Sequence, residues 1–121
     1  MSKTPPHPSI EEVAKDGKVP LAIEFHDKEG RIQGFHYGHL LNYMCDKNPK
    51  AEGDASVPSD RFSFWFSTHD VVVLGWRLSK LAPLVRHGLL EIIRAVDAKF
   101  YGVSDEKPFI CEIVVSRLEN E

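Results

Sequence analysis

A metal site is the first chemistry that the sequence permits. Its candidate ligands are the HxxH pair His36 and His39, the consecutive residues His69 and Asp70, and either Cys45 or His26. Imidazole nitrogens and carboxylate oxygens are ordinary ligands of zinc and related metals. However, Gly38 interrupts the pair and disfavours the helix that would bring both rings to one face. Scattered, hydrogen-bonded histidines are therefore the favoured interpretation, and a metal-dependent or small-molecule-binding enzyme is the alternative.

Residues 67–70 place two hydroxyls, an imidazole and a carboxylate next to one another. These are the group types of a nucleophile, a base and the residue that orients the base. Catalysis requires them to converge in space, whereas Ser, Thr and Asp are also common in the tight turns of hairpins, where they bond to the backbone. The turn is the favoured interpretation, so the sequence leans towards a protein without catalytic activity.

Several other functions lack their sequence signals. Neither GxGxxG nor GxxxxGK[ST] occurs, so nucleotide binding is disfavoured, and no cofactor is predicted. The net charge is −3 with histidines neutral, and no cluster of Lys and Arg accompanies the aromatic residues. A nucleic-acid accessory protein is therefore only a minor alternative. The longest apolar run, residues 71–74, is far too short to span a bilayer, and no membrane partner is expected.

Length and cysteine usage bound the class of protein. A chain of 121 residues fits one compact domain. Cys45 and Cys111 have no partner at CxxC spacing, which is typical of two free thiols in a reducing compartment. Residues 1–10 contain no apolar signal core, so a cytoplasmic protein is expected.

The chain begins with signals for a tail and a short helix. Three prolines predict a flexible tail over residues 1–9, ahead of a single globular domain over residues 10–121. Ser9 and Glu12 have the spacing of a capping box, which predicts a helix over residues 10–15.

Two hairpins are indicated by alternating apolar and polar residues. Residues 20–37 alternate on both sides of a four-residue turn that ends at Gly30. In the second hairpin, three phenylalanines share one face of a strand, residues 68–70 form the turn, and residues 71–76 form the next strand. Because both faces of this last strand are apolar, it is expected to be central and covered on both sides.

Four further segments complete the pattern. The polar composition of residues 46–60 predicts a mobile loop, and residues 37–44 fit either one helical turn or an extended crossover. Apolar residues at three- and four-residue spacing over residues 78–96 predict the main amphipathic helix. If Gly88 ends that helix, residues 89–96 form a second helix or a short strand. Residues 109–117 are rich in β-branched side chains and predict a final strand.

Together these elements predict an α+β domain. Its mostly antiparallel sheet of about five strands consists of two hairpins and a C-terminal strand, and the amphipathic helix packs on one face.

Trp65 is the main sequence clue to function. Alternation places it opposite the phenylalanine face of its strand, so if the phenylalanines meet the helix, the indole points outward beside Trp76. Exposed tryptophans are common anchors of protein interfaces. The competing interpretation is that the predicted helix at residues 10–15 closes this face, although that helix offers few apolar residues. The favoured function is therefore a small interaction module that self-associates or binds another protein, and a small-molecule ligand is not identified.

Overall fold

The strands of this protein form two four-stranded sheets. The computed structural model describes residues 9–12, 21–54, 56–100 and 107–118. Within them lie the strands β1 (Ile10–Glu12), β2 (Ala22–His26), β3 (Ile32–His36), β4 (Leu40–Lys47), β5 (Asp60–Phe66), β6 (His69–Trp76), β7 (Leu90–Arg94) and β8 (Phe109–Arg117), and the helix α1 (Leu81–Arg86). The first sheet has the order β1-β7-β2-β3 and the second sheet has the order β4-β5-β6-β8.

The α+β class with mainly antiparallel pairing is confirmed, but the prediction of a single sheet of about five strands was wrong. Only β2 and β7 run parallel among the described strands. The sheets are separate because β3 leads through a 3-10 turn, Tyr37–His39, into β4, which pairs with β5 rather than with β3. Local sequence patterns identify strands, but they carry no signal for which sheet a strand joins.

Both predicted hairpins are confirmed. β2 pairs with β3 around a turn in which Asp27 Oδ1 accepts the backbone N–H groups of Glu29 and Arg31 at 3.0 and 2.9 Å. Gly30 takes φ +85°, a conformation that other residues adopt only with strain. β5 pairs with β6, and β8 pairs with the other side of β6, so β6 is a central strand as predicted.

The core lies between the two sheets. Alternate residues of the central strands point inward, and Phe62, Phe64 and Phe66 of β5 are each 0 to 1% exposed. Phe64 and Phe66 meet Phe25 of the first sheet, whose ring centroid lies 5.2 Å from that of Phe64 in an edge-on arrangement. This shared core makes the two sheets one packing unit.

The helix is shorter than predicted, and one side of it packs against the core while Pro83 and Arg86 stay exposed. A 3-10 turn, Leu78–Lys80, precedes α1, and Leu78, Leu81 and Val85 pack with both sheets. Gly88 at φ +64° follows the end of the helix, and the next residues form the strand β7. Of the interpretations left open for residues 89–96, the short strand is therefore the one observed. Among the described residues, none of the helices combines the length and apolar content needed to cross a membrane.

The predicted helix at residues 10–15 is wrong over its described part. Ile10–Glu12 is β1, which pairs with β7, and Arg94 donates to Glu11 at 2.8 Å. The hydroxyl of Ser9 accepts the N–H of Ile110 at 3.1 Å instead of capping a helix. Strand pairing with β7 thus overrides a weak local capping signal. The remaining residues of that helix, and residues 1–8 of the predicted tail, lie outside the described residues.

The segment between β4 and β5 is shorter than the predicted loop at residues 46–60, because both strands extend into it. It contains the 3-10 turn Pro49–Ala51. Asn48 is buried, and its side chain donates to Pro58 O at 2.9 Å and accepts from Lys50 N at 3.2 Å. These bonds join the two ends of the loop.

Gly75 provides a sharp test of the second sheet. It lies at a β-bulge opposite Ile110, where a Cβ atom would fall 1.9 Å from the Phe109 carbonyl oxygen. We expect Gly75→Ala to lower the free energy of unfolding by about 3 kcal/mol or more, because neither backbone can retreat without breaking the strand pair.

Gly34→Ala is the matched control, since a Cβ atom there makes only ordinary contacts, with Glu24 Cγ at 3.6 Å and the Ile23 carbonyl oxygen at 3.8 Å. We expect it to change the stability by less than about 0.5 kcal/mol. Urea denaturation of both variants measures the difference, and equal stability of the two would contradict the observed approach of β6 and β8 at the bulge.

Candidate functional site

The outer face of the first sheet is mainly polar. Paired residues of β1, β7 and β2 bring Glu11 and Arg94 into contact there, with an Nη2 to Oε2 distance of 2.8 Å. His26 and Glu24 form a second pair at 3.1 Å. Such charged, self-paired surfaces are typical of a face that stays in water.

The outer face of the second sheet is apolar at its centre. Strand register places its residues in three rows that cross β4, β5, β6 and β8. The first row is Asn42, Trp65, Asp70 and Ser116, and the second is Met44, Ser63, Val72 and Val114. The third row is Asp46, Arg61, Leu74 and Glu112. We define the Trp65 face as Met44, Ser63, Trp65, Asp70, Val72, Leu74 and Val114. Met44 and Val114 are each 45% exposed, an unusual exposure for two apolar side chains of one sheet face.

Coverage of this face differs from the sequence expectation. β6 is central, but within the described residues no helix packs across its outer side, because the buried residues of α1 and its 3-10 turn pack in the core between the sheets. The predicted helix that could have closed the face is replaced over residues 10–12 by β1, which belongs to the other sheet. Val72 and Leu74 are half-buried as a result.

The two tryptophans have different positions. Trp65 is half-buried on the outer face, and within the described part of the chain its indole N–H has no acceptor. Trp76 is buried at 7% exposure, and its ring centroid lies 6.0 Å from that of Phe109. Of the two predicted interface residues, Trp65 is therefore the one available to a partner.

Asp70 lies directly across from Trp65 in the β5 and β6 register. Its Oδ1 atom is buried, and among the described residues it is the one buried side-chain oxygen or nitrogen without a hydrogen-bond partner. Leaving a buried acceptor unpaired costs about 1–3 kcal/mol. Asp70 therefore does not orient a catalytic base.

Arg61 and Asp46 border the Trp65 face at one corner. The guanidinium contacts the carboxylate through two bonds of 3.0 and 2.6 Å. The hydrogen bonds from Arg61 hold the pKa of the Asp46 carboxyl below its ordinary value. The charge of Arg61 is thus paired rather than available to a phosphate.

The structure brings His36 and His39 together, with ring centroids 6.0 Å apart, but does not add His69 or Asp70 to form a ligand set. His36 Nδ1 accepts the N–H of Gly38 at 3.2 Å. Over the described ranges, no group of three His, Cys, Asp or Glu side chains is arranged to hold a metal ion. The histidines act as local hydrogen-bonding partners.

The turn that joins β5 to β6 is Ser67 and Thr68, and it differs from the predicted turn at residues 68–70 because His69 and Asp70 already belong to β6. His39 Nδ1 lies 3.0 Å from Ser67 Oγ, and His69 Nδ1 lies 2.8 Å from Thr68 Oγ1. A serine and a histidine are therefore in contact, but Asp70 does not orient the imidazole. These bonds are consistent with the structural role of hydroxyl side chains in turns.

Neither cysteine is an activated nucleophile. Burial raises the pKa of the Cys45 thiol, and the nearby carboxylates of Asp60 and Asp46 raise it further. Burial also raises the pKa of Cys111. Reactive cysteines have lowered pKa values, so these thiols are suited to packing and not to catalysis.

A cleft of about 590 Å³ lies between the first hairpin turn and the end of β7. Three of its charged side chains already have structural partners. Asp27 caps its own turn, Arg94 pairs with Glu11, and Asp97 accepts the N–H of Lys99 at 3.0 Å. His26 also lines the cleft, where it pairs with Glu24, but His36, His39 and His69 do not line it.

Sequence reasoning did not identify Met44, Ser63 and Val114 as members of the site. Met44 lies on a strand that the sequence left undecided, and Val114 lies at an alternate position of the last strand. Each position is unremarkable alone. The signal appears only when the register aligns β4, β5, β6 and β8, and register is not visible in single segments.

Comparison with known protein families, with curated proteins and with solved structures finds no match for this chain. The function of this chain is therefore inferred from its own residues.

Tyr37 lines a second cleft and ties the turn between β3 and β4 to β7, because its hydroxyl donates to the Leu90 carbonyl oxygen at 2.6 Å. Burial raises its pKa from 10.0 to about 12. The unfolded chain thus releases this proton first as the pH rises, so the contribution of Tyr37 to stability is complete below pH 10 and is lost between 10 and about 12.

We expect wild type to lose about 1 kcal/mol more stability than Tyr37→Phe between pH 9 and 11, allowing for the partial exposure of the phenol. Urea denaturation at the two pH values measures this loss. The same loss in both proteins would show that Tyr37 is not held neutral by the fold.

Proposed function

We propose that this protein is a non-catalytic interaction module that self-associates through the Trp65 face. The observation that carries the proposal is the contrast between its two outer sheet faces. The first bears the ion pair of Arg94 with Glu11, with an exposed Ile32 at its edge. The second bears a continuous apolar patch in which Met44, Val72 and Val114 share one row beside the half-buried Trp65. Burying an apolar face of this kind is the usual driving force of association.

The size of the face supports a reversible complex. Four strands about 4.8 Å apart, with about eight residues rising 3.3 Å each, span about 19 by 26 Å, or about 500 Å² per copy. Two copies would bury about 1,000 Å², which is near the lower limit for specific interfaces. A dimer in the micromolar range is therefore expected, with monomers at high dilution.

The remaining chemistry favours association over catalysis. The histidines and hydroxyls of the β5 to β6 turn bond to each other or to the backbone, and the thiols have raised pKa values. Pairing of Arg61 with Asp46 also argues against a phosphate-binding surface beside the aromatic residue. A cytoplasmic location belongs to the same proposal and is supported by the free state of both cysteines.

Trp65→Glu tests the proposal, because a charge in the centre of the interface would lose its water on association. We expect the wild-type chain to sediment as a concentration-dependent dimer. The variant should raise the dimer Kd at least about thirty-fold, as loss of a central tryptophan does at protein interfaces.

Ile32→Glu is the matched control, since Ile32 is 61% exposed on the outer face of the first sheet. It should leave the Kd unchanged. Monomeric wild type at all accessible concentrations, or equal effects of the two substitutions, would overturn self-association through the Trp65 face.

A further inference from the structure

We infer that the self-associated form is a two-fold dimer in which the indole N–H of Trp65 in each copy donates to the Asp70 carboxylate of the other. This inference rests on the proposed function and adds the symmetry axis and the recognition residue. The axis runs along the strands, midway between β5 and β6.

The Trp65 face carries one unpaired donor and one unpaired acceptor side by side. Asp70 Oδ1 has no partner, and Trp65 Nε1 has no acceptor within the described residues. The two residues are directly opposite each other on β5 and β6 but do not bond to one another. In an isologous interface a residue pair is reciprocal, so one contact type would satisfy both groups in both copies.

The second argument is the position of these residues in the sheet. The order β4-β5-β6-β8 places the line between β5 and β6 at the centre of the face. A two-fold axis along this line lays β5 of one copy over β6 of the other, and β4 over β8. Trp65 then lies over Asp70 twice, next to the turn that joins β5 to β6, and the two faces overlap.

The same axis matches the exposed apolar side chains. Met44 on β4 and Val114 on β8 belong to one row, so each would cover the other across the dimer. Both are 45% exposed in the single chain. An axis perpendicular to the strands would instead place β4 over β4, with Met44 near Met44 and no partner for Asp70.

The charged row fits at the rim. Directly aligned sheets would bring Asp46 near Glu112 of the other copy, but aligned sheets cross at about 30°, which separates the corners. Arg61 already neutralises Asp46. The row of Trp65 and the row of Met44 therefore determine the contact.

The state of Asp70 explains why the carboxylate would engage a second copy. Oδ1 is enclosed by its own chain, but the residue as a whole is only half-buried, so rotation of the side chain brings the oxygen to the face. The rotation frees a buried acceptor that had no donor, and a bond to an ionised group is stronger than a neutral one.

A double-mutant cycle tests the hydrogen bond. Trp65→Phe keeps the aromatic ring and removes the N–H, and Asp70→Ala removes the acceptor. Sedimentation should show the Kd raised at least about a hundred-fold by each change, because the bond occurs twice in the dimer. The double variant should raise it no further, because both changes remove the same two bonds. Asp70→Ala should also raise the urea midpoint of dilute, monomeric protein, since it removes an unpaired buried oxygen.

Ser116→Ala is the control, since Ser116 lies beside Asp70 in the same row and is exposed. It should change neither quantity. Independent, additive effects in the cycle, or an unchanged Kd in Trp65→Phe, would overturn the reciprocal bond. If Trp65→Glu still abolishes association in that case, the proposed function stands and only this inference fails.

The axis is tested separately with charges on the edge strands. Met44→Lys and Val114→Glu should each raise the Kd by placing a charge over an apolar residue. Combined in one chain, they should restore association, because each lysine then lies over a glutamate of the other copy. A double variant weaker than both single variants would indicate like charges facing each other and would overturn the axis.

Discussion

The aromatic cluster between the sheets is the constraint on which the rest of this structure depends. Phe62, Phe64 and Phe66 are almost completely buried, and Phe64 and Phe66 meet Phe25 of the opposite sheet edge-on. Because side chains of a strand alternate, burying these three rings places Trp65 on the outer side of the same strand. The cluster therefore fixes both the packing of the two sheets and the identity of the surface that remains outside.

The strands were largely predictable from local patterns, whereas their assembly was not. Alternation identified both hairpins and β8, and the orientation of Trp65 followed from the phenylalanines. The helix predicted from Ser9 failed because pairing with β7 outweighs a single cap. The apolar period over residues 78–96 mixed a short helix with β7, and Gly88 at φ +64° separates them.

The candidate site was predictable only at its centre for the same reason. Trp65 stood out within its own strand, but its neighbours Met44 and Val114 come from strands about 70 residues apart in the chain, and only register aligns them. The histidines stood out by composition, yet each is accounted for by a nearby hydroxyl, backbone amide or ring. Unusual residue types thus indicated less than the uneven polarity of the two sheet faces.

The indole N–H resonances of the two tryptophans, followed by NMR over a protein dilution series, test the account most directly. Trp76 is buried against Phe109 and reports on the fold, whereas Trp65 reports on the outer face. The account predicts that the Trp65 resonance moves downfield as concentration rises and its hydrogen bond forms, while the Trp76 resonance stays in place. A Trp65 resonance that does not respond to concentration would contradict self-association through this face.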